Sequence, residues 1–243
     1  MSHLTILKKN EVYLQIESDP HVFYELSDQF TFELPGAKFM PQYRKRYWDG
    51  KIRLFNINNG QIYVGLLDKI KKFCEDHDYS YSFVDNEYYG TPFEVNESIS
   101  YEGVKDYITS ISKYAPREYQ IEGVYDALRH NRKLLISPTA SGKSLMIYSI
   151  VRYYVERGEN TLIVVPTTSL VEQMYKDFAD YGWDVGSFCH KIYAGKERET
   201  DSQVIITTWQ SIYKLPRKYF ERFSVVIGDE AHQFKSKSLI SIM

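Results

Sequence analysis

Cysteine is scarce in this 243-residue chain. Cys74 and Cys189 are the only two, far apart and at no zinc-ligand spacing, which argues against a disulfide scaffold or zinc module and for a reducing, intracellular setting. No apolar run approaches the ~20 residues that cross a bilayer. The first nine residues lack the apolar core and cleavage site of a secretory leader. An excess of one charge is missing as well. Thirty Lys and Arg stand against 32 Asp and Glu, net −2, so any nucleic-acid contact has to come from a local patch rather than from bulk charge. Internal repeats and low-complexity tracts are absent. What is present is a globular composition, 43% apolar and 26% charged, with an excess of tyrosine (22 residues). At ~1.6 times a typical domain length, the expectation is two modest domains, or one and part of a second.

Charge splits unevenly, 13 basic against 17 acidic residues over 1–113 and 17 against 15 over 114–243. Leu4–Leu7 and Val12–Ile16 alternate as a strand pair joined at Lys9-Asn10. Ser18-Asp19-Pro20 starts a helix, along which Val22, Phe23, Leu26 and Phe30 recur at helical spacing. A polar, proline-interrupted stretch from Leu34 to Trp48 follows. Strands Lys51–Phe55 and Gln61–Val64 flank the Asn58-Asn59-Gly60 turn, Leu66 to Cys74 has helical period, and Tyr79–Val84 reads as a closing strand. This β-β-α-β-β-α-β order describes a small α+β domain over residues 1–88. Residues 89–113 read as a linker and a connecting helix carrying Val104, Tyr107, Ile108 and Ile111.

The rhythm changes over 114–243. Helix 117–129, an apolar strand at Lys133–Ile136 and the long helix 143–157 are followed by strand Thr161–Val165 and helix 168–181. Strands Ser187–Ile192, Val204–Thr207 and Val225–Ile227 complete the pattern. Continuous apolar strands alternating with helices imply an α/β, doubly wound parallel sheet covered on both faces, an architecture that binds nucleotides at its strand ends.

Ser137-Pro-Thr-Ala-Ser-Gly-Lys-Ser144 lies between an apolar run and a helix, the context of a phosphate-binding loop. Backbone N–H groups from Thr139, Ala140, Ser141 and Gly142 onward would wrap the β-phosphate at the positive end of the helix dipole. Lys143 would neutralise the β and γ oxygens, and the Ser144 hydroxyl would hold Mg²⁺. Ser137 stands where the first glycine of such loops is expected, and a plain helix start capped by Ser141 is the alternative. Val225-Val-Ile-Gly-Asp-Glu-Ala-His232 supplies the second half: an apolar strand ending in two carboxylates, with Asp229 86 positions after Lys143. In a doubly wound sheet such strand ends meet the loop. Asp229 would bind Mg²⁺ through water, and Glu230 would orient and deprotonate an attacking water. The pair identifies an ATP site.

On these motifs the chain resembles the first motor lobe of a superfamily 2 helicase of the DEAH type, and more narrowly the UvsW helicases of tailed phages. The implied fold is a RecA-like P-loop motor domain (first lobe, truncated) preceded by a small α+β substrate-recognition domain. Arg117-Glu-Tyr119-Gln120 resembles the adenine-reading element, with Gln120 the implied partner of the base; a helix-surface role is the alternative. Pro166-Thr167-Thr168 and Thr208-Trp209-Gln210 resemble strand-contacting elements, although Thr167 and Thr168 also suit a helix cap and Trp209 suits a core. The resemblance implies that His232 couples the ATP site to strand movement. Trp48-Asp-Gly50, followed by Lys51-Ile-Arg53, resembles the UvsW substrate-recognition domain.

Physics points to the same segment. Lys38, Arg44, Lys45, Arg46, Lys51 and Arg53 face one acid, Asp49, and are interleaved with Phe39, Tyr43, Tyr47 and Trp48. Cations there would release counterions and rings would stack on unpaired bases; a solvated loop with its rings folded onto the sheet is the alternative. The resemblance implies an ATP- and Mg²⁺-dependent DNA helicase acting on branched or forked DNA and R-loops (RNA–DNA hybrids) in phage recombination and replication. It also implies a monomer, cytoplasmic in an infected bacterial host, with no membrane partner. A duplex-tracking translocase subunit of a restriction or remodelling complex, or a non-catalytic nucleic-acid-binding module, are the alternatives. The chain stops at Met243, in an apparent amphipathic helix (Leu239, Ile240), without the second RecA-like domain and its arginines. The 243-residue species is therefore expected to bind ATP weakly, hydrolyse it very slowly and not unwind DNA.

Overall fold

Asn10 makes the first turn: its side-chain carbonyl accepts the N–H groups of Val12 and Tyr13 at 2.9 and 2.8 Å, which reverses the chain between β1 (His3–Lys8) and β2 (Tyr13–Glu17). The computed structural model describes residues 2–92, 95–130, 132–138, 140–193 and 200–230. They fall into two units, Met1–Glu94 and Val95–Met243. Among the described residues no helix is long and apolar enough to cross a membrane.

In the first unit, helix α1 (Pro20–Gln29) has proline at its first turn, where a missing N–H costs nothing. Strand β3 (Thr31–Glu33), a one-turn helix α2 (Pro41–Arg44) and β4 (Lys51–Arg53) follow, then β5 (Phe55–Asn56), β6 (Gln61–Tyr63), α3 (Leu67–Asp76) and β7 (Ser80–Val84). The main sheet has the order β5-β6-β2-β1-β7, antiparallel except for the β1–β7 pair. Period-two alternation turns Leu4, Ile6, Leu14, Ile16 and Ile62 inward, onto Val22 and Leu26 of α1 and Ile70 and Phe73 of α3. Gly60 is obligatory in its turn: its φ is +66°, and a Cβ there would lie 2.3 Å from the Ile16 carbonyl oxygen.

Two elements of this unit differ from the sequence reading. The polar stretch contains α2, and β3 pairs with β4 in a separate two-stranded sheet, Thr31 opposite Arg53. Three-residue strands and one-turn helices are too short to display a period.

The second unit begins with α4 (Tyr101–Ile111), whose Ser100 cap accepts the Gly103 N–H, and α5 (Glu118–His130). Next come α6 (Lys143–Val155), β8 (Thr161–Val165), α7 (Thr168–Asp180), a short α8 (Val185–Phe188) and β9 (Cys189–Ile192). The described chain ends with β10 (Val204–Thr208), α9 (Trp209–Ile212), α10 (Arg217–Phe220) and β11 (Val225–Gly228). The sheet is wholly parallel, in the order β11-β8-β10-β9. Both of its faces are covered. Ile163, Val165, Val204 and Ile206 point to α6 and α7, where Tyr148, Val151 and Phe178 lie, while Leu162, Val164 and Ile205 point to Ile212 of α9. α4 and α5 pack on α6 through Ile108, Ile121, Val124, Met146 and Ile150.

The expected strand at Lys133–Ile136 is not formed. This run joins no ladder, and Leu134 and Ile136 are 72% and 92% exposed. Its apolar pattern is that of a buried strand, but a strand needs a neighbour to take its N–H and C=O groups, and no described strand pairs with it.

Candidate functional site

Register brings three loops to one end of the parallel sheet. Gly228 lies opposite Val164 and Thr208 opposite Val165, so the chain leaves β8 at Pro166, β10 at Trp209 and β11 at Asp229 from the same carboxyl edge. The Asp229 N–H donates to the Val164 carbonyl at 3.0 Å, and its side chain accepts the Glu230 N–H at 2.9 Å. Glu230 has a φ of 54°, a left-handed conformation disfavoured for a residue with a side chain and frequent at working sites.

Opposite this pair stands the 137–144 loop. Ala140 and Gly142 have φ of 63° and 76°, which curls the backbone before α6 begins at Lys143. Ser137, in the place of the expected glycine, hydrogen-bonds the Ser141 hydroxyl across the base of the loop. Lys143 Nζ reaches Glu230 Oε1 at 2.8 Å, joining residues 87 apart in sequence. The Glu230 hydrogen bond raises the Lys143 ammonium above its ordinary value against the pull of desolvation, and Asp229 adds to it. Lys143, Asp229 and Glu230 are thereby brought together. Thr139 and His232 lie outside the described residues, as does the helix read at Leu239–Met243.

Gln120 is 5% exposed, which removes the helix-surface reading. Its Oε1 accepts the Arg117 N–H at 2.9 Å, and its Nε2 donates to the carbonyls of Ser141 at 2.9 Å and Gly142 at 3.4 Å. Tyr119 donates its hydroxyl to the same Ser141 carbonyl at 2.7 Å and receives Arg117 Nη1–H at 3.0 Å. The Arg-Glu-Tyr-Gln turn thus props the backbone at Ser141 and Gly142 from outside. Gly142 is required on both counts: its φ is positive, and a Cβ would sit 2.4 Å from Gln120 Nε2. Between this turn, the loop and the end of α7 lies a cleft of about 420 Å³ lined by Tyr114, Arg117, Gln120, Ser141, Asp177 and Tyr181, among others. Sequence reasoning missed the last two, because nothing local links α7 to a loop some 40 residues upstream.

At the same sheet edge, Pro166 is buried, and Thr167 and Thr168 are exposed. Thr167 caps α7 by accepting the Leu170 N–H at 3.3 Å. Thr208 is buried and bonded to Ser211, Trp209 packs on the α9 side of the core, and Gln210 is exposed.

In the first unit, α2 and the turn after it carry the basic segment. Arg44, Lys45, Arg46, Tyr47 and Lys51 are exposed. A cleft of about 620 Å³ is lined by Lys38, Tyr43, Arg44, Arg46, Tyr47, Trp48 and Asp49. Arg46, with φ 58°, follows the Lys45 cap of α2 in the left-handed conformation where glycine is the usual choice, and it is exposed. Trp48 donates its indole N–H to the Lys51 carbonyl at 2.9 Å, and Arg53 is paired with Asp49. The Arg53 hydrogen bond, helped by the Lys51 N–H, holds the Asp49 carboxyl down to about 2.

Comparison with known proteins supports the same division of the chain. Residues 113–243 match the family described as Type III restriction enzyme, res subunit, and residues 4–85 match the family described as DNA helicase UvsW, N-terminal. Over 242 residues the chain is 34% identical to the ATP-dependent DNA helicase uvsW of Enterobacteria phage T4, covering 95% of this chain and 47% of that protein. It is 30% identical over 147 residues to the DNA 3'-5' translocase XPB2 of Sulfurisphaera tokodaii, covering 59% of this chain and 29% of that protein. The chain therefore spans about half, or less, of the curated relatives it matches. The crystal structure of the UvsW helicase from bacteriophage T4 superposes with a TM-score of 0.82 at 31% identity, covering 99% of this chain and 86% of the solved one. A second T4 UvsW structure superposes at 0.83 and 31%, covering 99% and 49%. The chain belongs to the UvsW-like superfamily 2 helicases, a family of ATP-dependent DNA helicases, and comprises a UvsW N-terminal domain followed by the first helicase lobe.

Proposed function

We propose that the second unit binds ATP with Mg²⁺ at the 137–144 loop and serves as the first motor lobe of a DNA helicase acting on branched or forked DNA and on R-loops, with the first unit recognising the substrate. The observation that carries this reading is the 2.8 Å contact between Lys143 and Glu230, which places a cation, a helix N-terminus and two carboxylates at one sheet edge. The donor set suits a magnesium nucleotide: a loop with two left-handed residues, an ammonium, one hydroxyl at Ser144, and the acidic pair. Bound there, Mg²⁺ would supply charge neutralisation on the β- and γ-phosphate oxygens. Lys143 exchanges Glu230 for phosphate oxygens, and Glu230, released, orients a water and accepts its proton. Asp229 would help to hold the metal. Gln120 and Tyr119 keep the loop backbone in place, with Arg117 anchoring Tyr119. His232 couples this site to the strand-contacting residues Thr167, Thr168 and Gln210.

Lys143→Ala is expected to weaken ATP binding by at least about tenfold, the worth of one charge-assisted hydrogen bond. Titration of the 243-residue chain with ATP in Mg²⁺ checks it, and unchanged affinity would remove the loop from the account. A second reading, a duplex-tracking translocase, is favoured by the likeness to the archaeal 3'-5' translocase. Strand displacement by a protein in which this chain is joined to a second helicase lobe separates the two.

A further inference from the structure

Ser144, the hydroxyl offered to the metal in the reading above, is held in this structure by the far end of another helix. Its Oγ lies 2.7 Å from the hydroxyl of Tyr181, the residue that caps the end of α7. This partner is firmly mounted. The Tyr181 ring packs against Tyr148 at 5.1 Å and edge-on against Tyr114 at 5.9 Å. Tyr148 is itself fully buried, with its hydroxyl donating to the Ile111 carbonyl at 2.8 Å.

Lys143 and Ser144 are consecutive at a helix start, so their side chains leave the axis about 100° apart. One reaches Glu230 on β11; the other is bonded to α7. A hydroxyl has one proton and two lone pairs. The bond to Tyr181 takes either the Ser144 proton or one of its lone pairs and holds the hydroxyl in a rotamer that faces α7. A rotamer turned toward the end of β11, where Asp229 lies, gives that bond up.

We propose that Tyr181 is a latch on Ser144: a positioning residue that holds the metal-binding hydroxyl off the nucleotide site until magnesium nucleotide displaces it. This rests on the ATP-site reading and adds to it a specific cost of metal binding set by α7. Because α7 begins at Thr167 and Thr168, the exposed residues proposed to grip a nucleic-acid strand, the latch also ties the metal ligand to the strand-contacting helix.

The test is isothermal titration of the 243-residue chain and its Tyr181→Phe variant with ATP, in Mg²⁺ and in EDTA. Tyr181→Phe keeps the ring and its packing and removes only the hydroxyl. Affinity in Mg²⁺ is expected to rise about two- to tenfold, the net worth of one hydroxyl–hydroxyl bond, with no change in EDTA. In a Ser144→Ala background, Tyr181→Phe should then have no effect in either buffer, since the bond is already gone. An unchanged or lowered affinity in Mg²⁺, or an equal change in both buffers, would overturn the latch; a persistent effect in Ser144→Ala would do so too. Lys143→Ala in the same titration keeps the two readings apart. If it binds ATP normally, the site itself is wrong; if it loses binding and Tyr181→Phe does not tighten it, only the latch fails.

Discussion

Asp49 shows what one side chain contributes to the basic segment. It accepts Arg53 Nη1–H at 3.3 Å and the Lys51 N–H at 3.1 Å, and these bonds hold its carboxyl down to about 2. A depressed carboxyl stabilises the fold above its unfolded value, ~3.9, and loses that contribution as pH falls through the folded value. The window is therefore between about pH 4 and pH 2. A ¹³C carboxyl titration should place Asp49 near the lower limit, and Arg53→Ala should return it toward ~3.9. A midpoint already at ~3.9 in the unaltered chain would mean that the ion pair does not persist in solution. At this scale the members of the proposed site were legible: Lys143, Ser144, Asp229 and Glu230 are picked out by type and spacing, and the structure brings Lys143 to Glu230. The hydrogen bonds that set their states were not. Gln120 reads locally as a helix-surface amide or a base reader, and its burial under Ser141 and Gly142 depends on two chain segments meeting.

At the scale of elements, α2 stands out. Pro41 starts it, the left-handed Arg46 stops it, and Arg44, Lys45 and Arg46 are left exposed on so short a helix. Replacing all three with Ala should weaken binding to forked and single-stranded DNA. It should also lower the slope of log affinity against log salt by about 2–3, as expected for that many phosphate contacts. Fluorescence anisotropy across a salt series measures both, and an unaltered slope would exclude α2 from the interface. Long helices such as α6 and α7 were read from the sequence with ends off by a residue or two, because a dozen residues can display a period, and the short strands β8 and β10 were read from their continuous apolar runs. The run at 133–136 carried the same apolar signal and yet lies open, since an extended segment becomes a strand only when a partner edge is available.

For the whole molecule, the two units have separate apolar cores, one built on Ile6, Ile16, Ile62 and Phe73 and the other on Tyr148, Val165, Phe178 and Ile206. A fragment of residues 1–94 should consequently fold by itself, with a cooperative urea transition of about 5–10 kcal/mol. A fragment that melts without a transition would show that its core needs the rest of the chain. The amino-acid sequence by itself determined the two-part organisation, the covered parallel sheet and which groups are proposed for the site, because hydrophobic period and short motifs are local properties. Tertiary structure decided which groups hold one another: Lys143 by Glu230, Ser144 by Tyr181, the loop before α6 by Gln120, with Thr208 buried and Gln210 left in solvent. Each of those outcomes depends on where a distant segment packs, and packing is settled by the competition of all the apolar surfaces at once rather than by any window of sequence.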